Sequence, residues 1–321
     1  MTIEEARTLI RGVEWRGSRP GLSRVRELLH RIGDPQDTLQ FVHIAGTNGK
    51  GSTAAMLAAV LQAAGYTTGL FTSPFLEQFA ERMQVNGQPI PDAELAAACE
   101  TLQPCIAAMD DQPTEFELVT AAAMLWFQRR GCDIVVLEVG LGGRLDATNV
   151  IGAPACAVIT NIGDAHQENF INLEQKCDEK MILARSASKI IYHSYYEPLG
   201  RMVAAHFADR RPVDAAAYPE VPESVIGNAA SRRNAQIVEA FCDAMHYPAP
   251  SFAAAPSVAM RLEVKEGIND SILINDAYNL DLNSLALALD YLHSVALSRR
   301  RTLVLSDICL LYTSPSPRDC S

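Results

Sequence analysis

The sequence predicts an α/β fold: a mostly parallel sheet flanked by helices, with the start of a further α/β domain behind it. Three observations predict it. Short β-branched apolar runs alternate with helical patterns along most of the chain. Two of those runs end in polar, glycine-rich turns, where open parallel sheets hold their ligands. The first such turn, Gly46-Thr-Asn-Gly-Lys-Gly-Ser52, joins a strand to an alanine-rich helix, which makes the sheet P-loop-type.

The elements follow in order. Met1-Thr-Ile-Glu-Glu-Ala-Arg7 is charged and helical in pattern, without the apolar core of a signal peptide. Leu39–Ala45 is apolar and β-branched and reads as the first strand, and Thr53–Ala64 as the helix after the glycine turn. Thr67–Phe71, Ile134–Val139, Ala155–Ile162 and Lys189–His193 read as further strands by the same criterion. Asp92–Met109, Phe116–Arg129 and Leu173–Ala184 are long enough and periodic enough for helices between them. Prolines loosen the pattern at Tyr218-Pro-Glu-Val-Pro222 and again over Ser251–Val258. Beyond lie strands at Met260–Glu266, Ser271–Asn275 and Thr302–Ser306, with a helix Ser284–His293 between the last two. Residues 1–258 thus form one domain, and 259–308 the truncated start of a second, Rossmann-like one. Residues 309–321 carry two Ser-Pro breaks and continue no pattern. They resemble translated adaptor sequence and are set aside from fold reasoning.

Composition narrows the function. The 321 residues are 48% hydrophobic and 20% charged, a globular balance long enough for two domains. A net charge of −11 argues against a broad nucleic-acid or anionic-membrane surface. No segment reaches the roughly 20 apolar residues needed to span a bilayer. The eight cysteines are scattered without a C-x-x-C pair and read as reduced thiols of a cytoplasmic protein.

An anionic ligand therefore needs a local basic pocket, and residues 46–53 offer one. Gly46, Gly49 and Gly51 let backbone N–H groups turn toward phosphate oxygens, and the helix N-terminus adds its positive dipole end. Thr47, Asn48 and Thr53 complete the loop. Lys50 supplies a point charge to the β- and γ-phosphates, and the Ser52 hydroxyl suits Mg²⁺. The ligand read from this loop is the phosphate chain of a nucleotide, with Mg²⁺. Glu138 lies within the apolar run Val135-Val-Leu-Glu-Val139, where a carboxylate needs a cation, either a salt-bridge partner or a metal.

The spelling Gly46–Ser52 resembles the ATP site of the Mur ligase superfamily, in particular folylpolyglutamate synthase/dihydrofolate synthase. The likeness extends to Gly17-Ser-Arg-Pro-Gly-Leu-Ser-Arg24, Gly69-Leu-Phe-Thr-Ser-Pro-Phe-Leu76 and Thr114-Glu-Phe-Glu-Leu-Val-Thr120. Its most specific block is Val136-Leu-Glu-Val-Gly-Leu-Gly-Gly-Arg-Leu-Asp-Ala-Thr-Asn149. The resemblance implies the fold of the Mur ligase central domain and an ATP-dependent carboxylate–amine ligase acting on folate or pteroate and L-glutamate. It implies Ser52, Ser73 and Glu138 at a first metal, and His166 with Glu138 at a second, although a lone His166 also fits a satisfied core histidine. It implies a carbamylated lysine at Lys180, which as a bare feature is one lysine on a polar helix face. Asn234 resembles the adenine contact and is equally compatible with a helix surface. Arg261 and Asp276 resemble residues that meet phosphate and ribose. Ser73, Pro74, Phe75, Phe79 and Arg82 resemble the wall that receives the pterin, with Phe75 where the family more usually has His. Arg144 and Asp146 are expected to brace the glycine turn.

From Ile159-Thr-Asn-Ile-Gly-Asp-Ala-His166 onward the spelling changes. Residues 159–308 resemble UDP-N-acetylmuramoyl-tripeptide–D-alanyl-D-alanine ligase in its racemase-fused form, while 1–158 resemble the folate branch. A chimaera with its seam near 155–163 is the expectation that this implies. Three functions follow: the folate ligase, a peptidoglycan-precursor ligase joining D-Ala-D-Ala to a UDP-muramoyl peptide, or an ATP-binding fragment without turnover. A monomer is expected in each.

Overall fold

A computed structural model describes residues 1–13, 19–75, 77–162, 173–226, 228–250, 252, 263–276, 282–295 and 300–305. The chain divides into two compact units, one within 1–162 and 167–256, the other within 163–166 and 257–321.

The first unit is built on eight strands: β1 Phe41–Ala45, β2 Thr68–Phe71, β3 Met83–Val85, β4 Gln88–Pro89, β5 Ile134–Glu138, β6 Cys156–Ile159, β7 Lys189–Tyr192 and β8 Val213–Asp214. They lie in the order β4-β3-β2-β5-β1-β6-β7-β8. The pairings from β2 to β8 are parallel, while β3 and β4 add an antiparallel edge. β1 is wholly buried, as a central parallel strand covered on both faces must be.

Among the described residues eight helices cover the sheet: α1 Ile3–Arg11, α2 Ser23–Arg31, α3 Lys50–Ala63, α4 Asp92–Ala107, α5 Glu115–Arg129, α6 Leu173–Met181, α7 Glu197–Phe207 and α8 Ala229–Ala244. Side chains of β1 and β5 alternate between the faces. Phe41, Val135 and Leu137 join α1, α2, α4 and α5 in one core. Val42, Ile44, Ile134 and Val136 meet α3 and α8 on the other face. Ala157, Ile159 and Ile190 pack on α6 and α7. α5 starts at a capping box in which Thr114 and Glu117 exchange bonds with each other's backbone.

Each strand expected in this unit is present, shortened by one to three residues at its ends. The short β3–β4 hairpin was not expected, although its Asn86-Gly87 turn, with φ of 49° and 71°, is the usual signal for one. α3 begins at Lys50 and not at Thr53, because Gly49, at φ 79°, already ends the loop and starts the helix.

In the second unit, β9 Glu263–Glu266 and β10 Ile272–Asn275 precede α9 Leu282–Val295. β9 and β10 pair antiparallel, since the few residues joining them are too short for a parallel crossover. The strand expected over Thr302–Ser306 is not formed at 302–305, which have no regular structure and no paired neighbour among the described residues. Residues 309–321 lie outside the described residues.

Candidate nucleotide-binding site

Four neighbouring strand ends meet at the site. β2, β5, β1 and β6 are parallel and adjacent, so the turns after each open on one edge of the sheet. The chain leaves β1 toward β2 on one side and later reaches β6 on the other. That reversal is a topological switch point, where α/β sheets bind ligands.

The turn after β1 is Gly46 to Gly49, and Lys50 to Ser52 form the first turn of α3. Lys50 folds over the loop, its Nζ donating to the carbonyls of Gly46 (3.1 Å) and Thr47 (3.3 Å). Gly46 has no room for a side chain: a Cβ there would stand 1.9 Å from Thr160 Oγ1. No acidic residue lies in the first turn of α3, which leaves its dipole open to an anion. The Thr53 hydroxyl is fully enclosed and has no hydrogen-bond partner in the described structure.

Thr160 and Asn161, at the end of β6, hold this loop. Asn161 Oδ1 accepts from the amides of Thr47 (3.1 Å) and Asn48 (2.7 Å). Thr160 Oγ1 donates to Asn48 O at 2.7 Å. A side-chain oxygen thus receives the Asn48 amide in this structure. Asn161 had a legible signal in the polar pair that follows the apolar run of β6.

Glu138 ends β5 at 2% exposure and accepts the Ser73 amide at 3.1 Å. Lys180, on α6, is 7% exposed, and its Nζ donates to Gly46 O at 3.0 Å. It is not a lysine on a polar helix face, because the glycine turn after β5 draws α6 inward. Gly143 touches the α6 backbone so closely that a Cβ would lie 2.3 Å from Glu179 O. Arg144 clasps Glu179 with its amide (3.0 Å) and its Nε (3.2 Å). Asp146 accepts from Leu141 N at 2.8 Å, so both residues brace the turn as expected.

A buried relay ties that turn to β1. Thr148 Oγ1 donates to Asp146 Oδ1 at 2.5 Å, so it accepts from His43 Nε2–H at 2.9 Å. Burial pushes the Asp146 carboxyl up, against hydrogen bonds from Thr148, Leu141 and Gly140. Burial likewise pushes His43 down to about 3. Sequence reasoning missed His43, although a histidine inside an apolar strand run was its signal. In the unfolded chain His43 protonates near 6.5, whereas the folded protein keeps it neutral down to about 3. Its contribution to stability is complete above pH 6.5 and is lost as pH falls toward 3. Unfolding free energies measured across this window are expected to fall by up to about 1.4 kcal/mol for each pH unit lowered. His43→Gln should flatten the slope; an unchanged slope would rule out His43 as its source.

The residues expected to receive a pterin also come together. Ser73–Pro74 is a cis peptide, Phe75 and Phe79 have centroids 6.0 Å apart, and the Arg82 guanidinium lies 5.5 and 5.6 Å from these rings. Arg82 is 8% exposed and bound to Glu115 at 2.9 Å, so it is a covered cation and Phe75 the exposed member. Asn234, on α8, faces Gly49, with Oδ1 2.9 Å from where a Cβ would stand. Asp276 follows β10 in the second unit. His166 and Arg261 lie outside the described residues.

Ser52 in the first turn of α3, and Ser73 and Glu138 after β2 and at the end of β5, carry hard oxygens of the kind that Mg²⁺ takes. Mg²⁺ keeps waters and phosphate oxygens and needs few protein ligands.

The strand-end site and its phosphate loop fall in a recognised segment. Residues 44–193 match the Mur ligase middle domain. Outside as well as within this middle domain the chain has relatives. It is 42% identical over 213 residues to the dihydrofolate synthase/folylpolyglutamate synthase of Bacillus subtilis, covering 64% of this chain and 49% of that protein. The solved apo form of L. casei FPGS is 26% identical with a TM-score of 0.78, over 92% of this chain and 81% of that one. A solved FPGS–AMPPCP–folate complex is 27% identical with a TM-score of 0.76, over 91% and 81%. The chain spans half or less of the length of the curated relatives it matches. An alignment of 213 residues cannot end before residue 163, so the likeness to the folate-type enzyme runs across the expected seam. The peptidoglycan alternative is not favoured.

Proposed function

We propose that the chain is the nucleotide-binding part of an ATP-dependent ligase of folate metabolism, joining L-glutamate to dihydropteroate or tetrahydrofolate. The observation that carries this reading is the edge where Gly46–Ser52, Ser73 and Glu138 converge, beside an aromatic cluster that leaves Phe75 40% exposed. The relatives named for folate synthesis and polyglutamylation support it.

The substrate carboxylate attacks the γ-phosphorus of ATP, releasing ADP and forming an acyl phosphate. The glutamate amine then displaces phosphate and the amide forms. Phosphoryl transfer depends on positioning and on cations. Lys50 would leave the loop carbonyls for the β- and γ-phosphates, and amides from Gly49 to Ser52 would hold the same oxygens. Mg²⁺ held by Ser52, Ser73 and Glu138 would supply charge neutralisation, with His166 at a second ion. Lys180 would add a cation beside Gly46, or an oxygen donor once carbamylated. Phe75, Phe79 and Pro74 would pack against the pterin, with Arg82 fixing the two rings. Asn234 would approach the adenine. A monomer in the cytoplasm is the expected setting; no helix among the described residues is long and apolar enough to cross a membrane.

The test is ADP release by the purified chain with Mg²⁺, ATP and dihydropteroate, with and without glutamate. Glutamate is expected to stimulate release, and Lys50→Ala to lower it at least about a hundredfold. Release indifferent to glutamate would remove the folate assignment. Release retained in Lys50→Ala would remove the phosphate-loop assignment.

A further inference from the structure

We infer that Asn161 is the positioning residue of the phosphate loop, and that it is an amide because the loop it holds must also receive an anion. The second half of this statement rests on the nucleotide reading above. Asn161 Oδ1 receives two consecutive backbone amides, Thr47 at 3.1 Å and Asn48 at 2.7 Å. Its main-chain oxygen receives the Thr47 amide as well, at 3.0 Å. Thr160 completes the clamp through Oγ1 to Asn48 O (2.7 Å) and its amide to Ala45 O (2.9 Å). Every residue from Ala45 to Asn48 is thus tied to this pair or pressed against it, Gly46 by the lack of space for a Cβ.

Two successive amides converging on one oxygen make an anion-binding nest. Here the nest is filled from within by an uncharged oxygen. A carboxylate would bond the same two donors more strongly, because charge-assisted bonds are about twice as strong. It would also put a negative charge beside the loop that Lys50 and Lys180 enrich in positive charge, both ammonium groups sharing Gly46 O. The charge would be spent against the loop's own lysines and would repel phosphates. An amide holds the backbone and leaves the field to the ligand.

The two variants separate shape from charge. Asn161→Asp keeps the acceptor and adds charge; Asn161→Ala removes the acceptor. At a pH well above the carboxylate range, the full chain carrying Asn161→Asp is expected to melt with the wild type yet bind AMPPCP–Mg²⁺ at least about tenfold more weakly. The penalty should be smaller for ADP and shrink as KCl is raised, since added salt screens charge. Asn161→Ala should melt lower and weaken both nucleotides alike, with no such salt recovery. Wild-type affinity in Asn161→Asp overturns the inference, as does equal thermal loss in both variants. A wild-type chain that binds neither nucleotide overturns the nucleotide reading, and this inference with it.

Discussion

A Gly46→Ala chain is expected to lose nucleotide binding and to melt several degrees below the wild type. The cause is local and steric. The new methyl would stand 1.9 Å from Thr160 Oγ1, 3.2 Å from Thr160 Cβ and 3.3 Å from the Asn161 amide. Two of these are parts of a fixed strand end that cannot swing aside. Gly46 also sits at φ 156°, which alanine adopts reluctantly. If the loop moves, the carbonyl shared by Lys50 and Lys180 moves with it; if Thr160 moves, its bond to Asn48 breaks. Overpacking of this kind costs about 1–3 kcal/mol, which for a chain of this size is a melting shift of several degrees. Titration with AMPPCP followed by fluorescence, beside a thermal melt, reads both effects. Adding Thr160→Ala should restore part of the melting temperature without restoring binding. A Gly46→Ala protein that binds within about threefold of the wild type would show that the loop does not hold phosphate in this shape.

The second large effect concerns a buried ion pair. Arg24 and Glu117 are both buried, with Nε 3.1 and 3.0 Å from the two carboxylate oxygens and Nη2 2.9 Å from Oε1. The Glu117 hydrogen bond is the foremost reason that the Arg24 guanidinium is held above its ordinary range, and burial opposes it. Glu117 also accepts the Thr114 amide at 2.7 Å and so caps α5. Removing it strands a buried cation, with Asp111 (3.4 Å) and the Arg19 carbonyl (2.6 Å) left to it among the described residues. Glu117→Ala is expected to cost about 3–5 kcal/mol in urea unfolding, as breaking a buried pair does. Glu117→Gln keeps an acceptor for the cap and should lose less. A loss under about 1 kcal/mol would make this pair equivalent to an exposed one.

These two residues also show what the sequence could and could not reveal. Arg24 and Glu117 fall in two separate motif blocks, Gly17–Arg24 and Thr114–Thr120, whose spelling resembles the folate-type ligases. In the fold they meet each other, and what they do is join α2 to α5. A motif announces that residues matter without saying whether for chemistry or for packing. The glycine turns, the order of strands and the ends that carry Ser73 and Glu138 were legible, because periodicity and loop composition are local properties. Asn161 and His43 carried local signals, a polar residue after an apolar run and a histidine within one, but their roles were missed because their partners, Asn48 and Thr148, lie about a hundred residues away along the chain. As a bare feature Lys180 reads as one lysine on a polar helix face, with only the resemblance pointing inward, because its burial depends on Gly143, in another segment, leaving no space beneath α6. The short β3–β4 and β8 pieces carry too few residues for alternation to stand out.

The placement of β1 has a consequence for how the protein is made. Its neighbours are β5 and β6, which pair Phe41 with Val135 and Val42 with Cys156. Both partners are roughly a hundred residues downstream, a separation that makes pairing slow because a long loop must close first. The loop after β1 is held by Thr160, Asn161 and Lys180, so on a ribosome it waits, unformed, until those residues have been synthesised. A ligand that binds only the formed loop would meet an assembled sheet and stabilise it by mass action, acting as the latch on a completed fold and not as its seed.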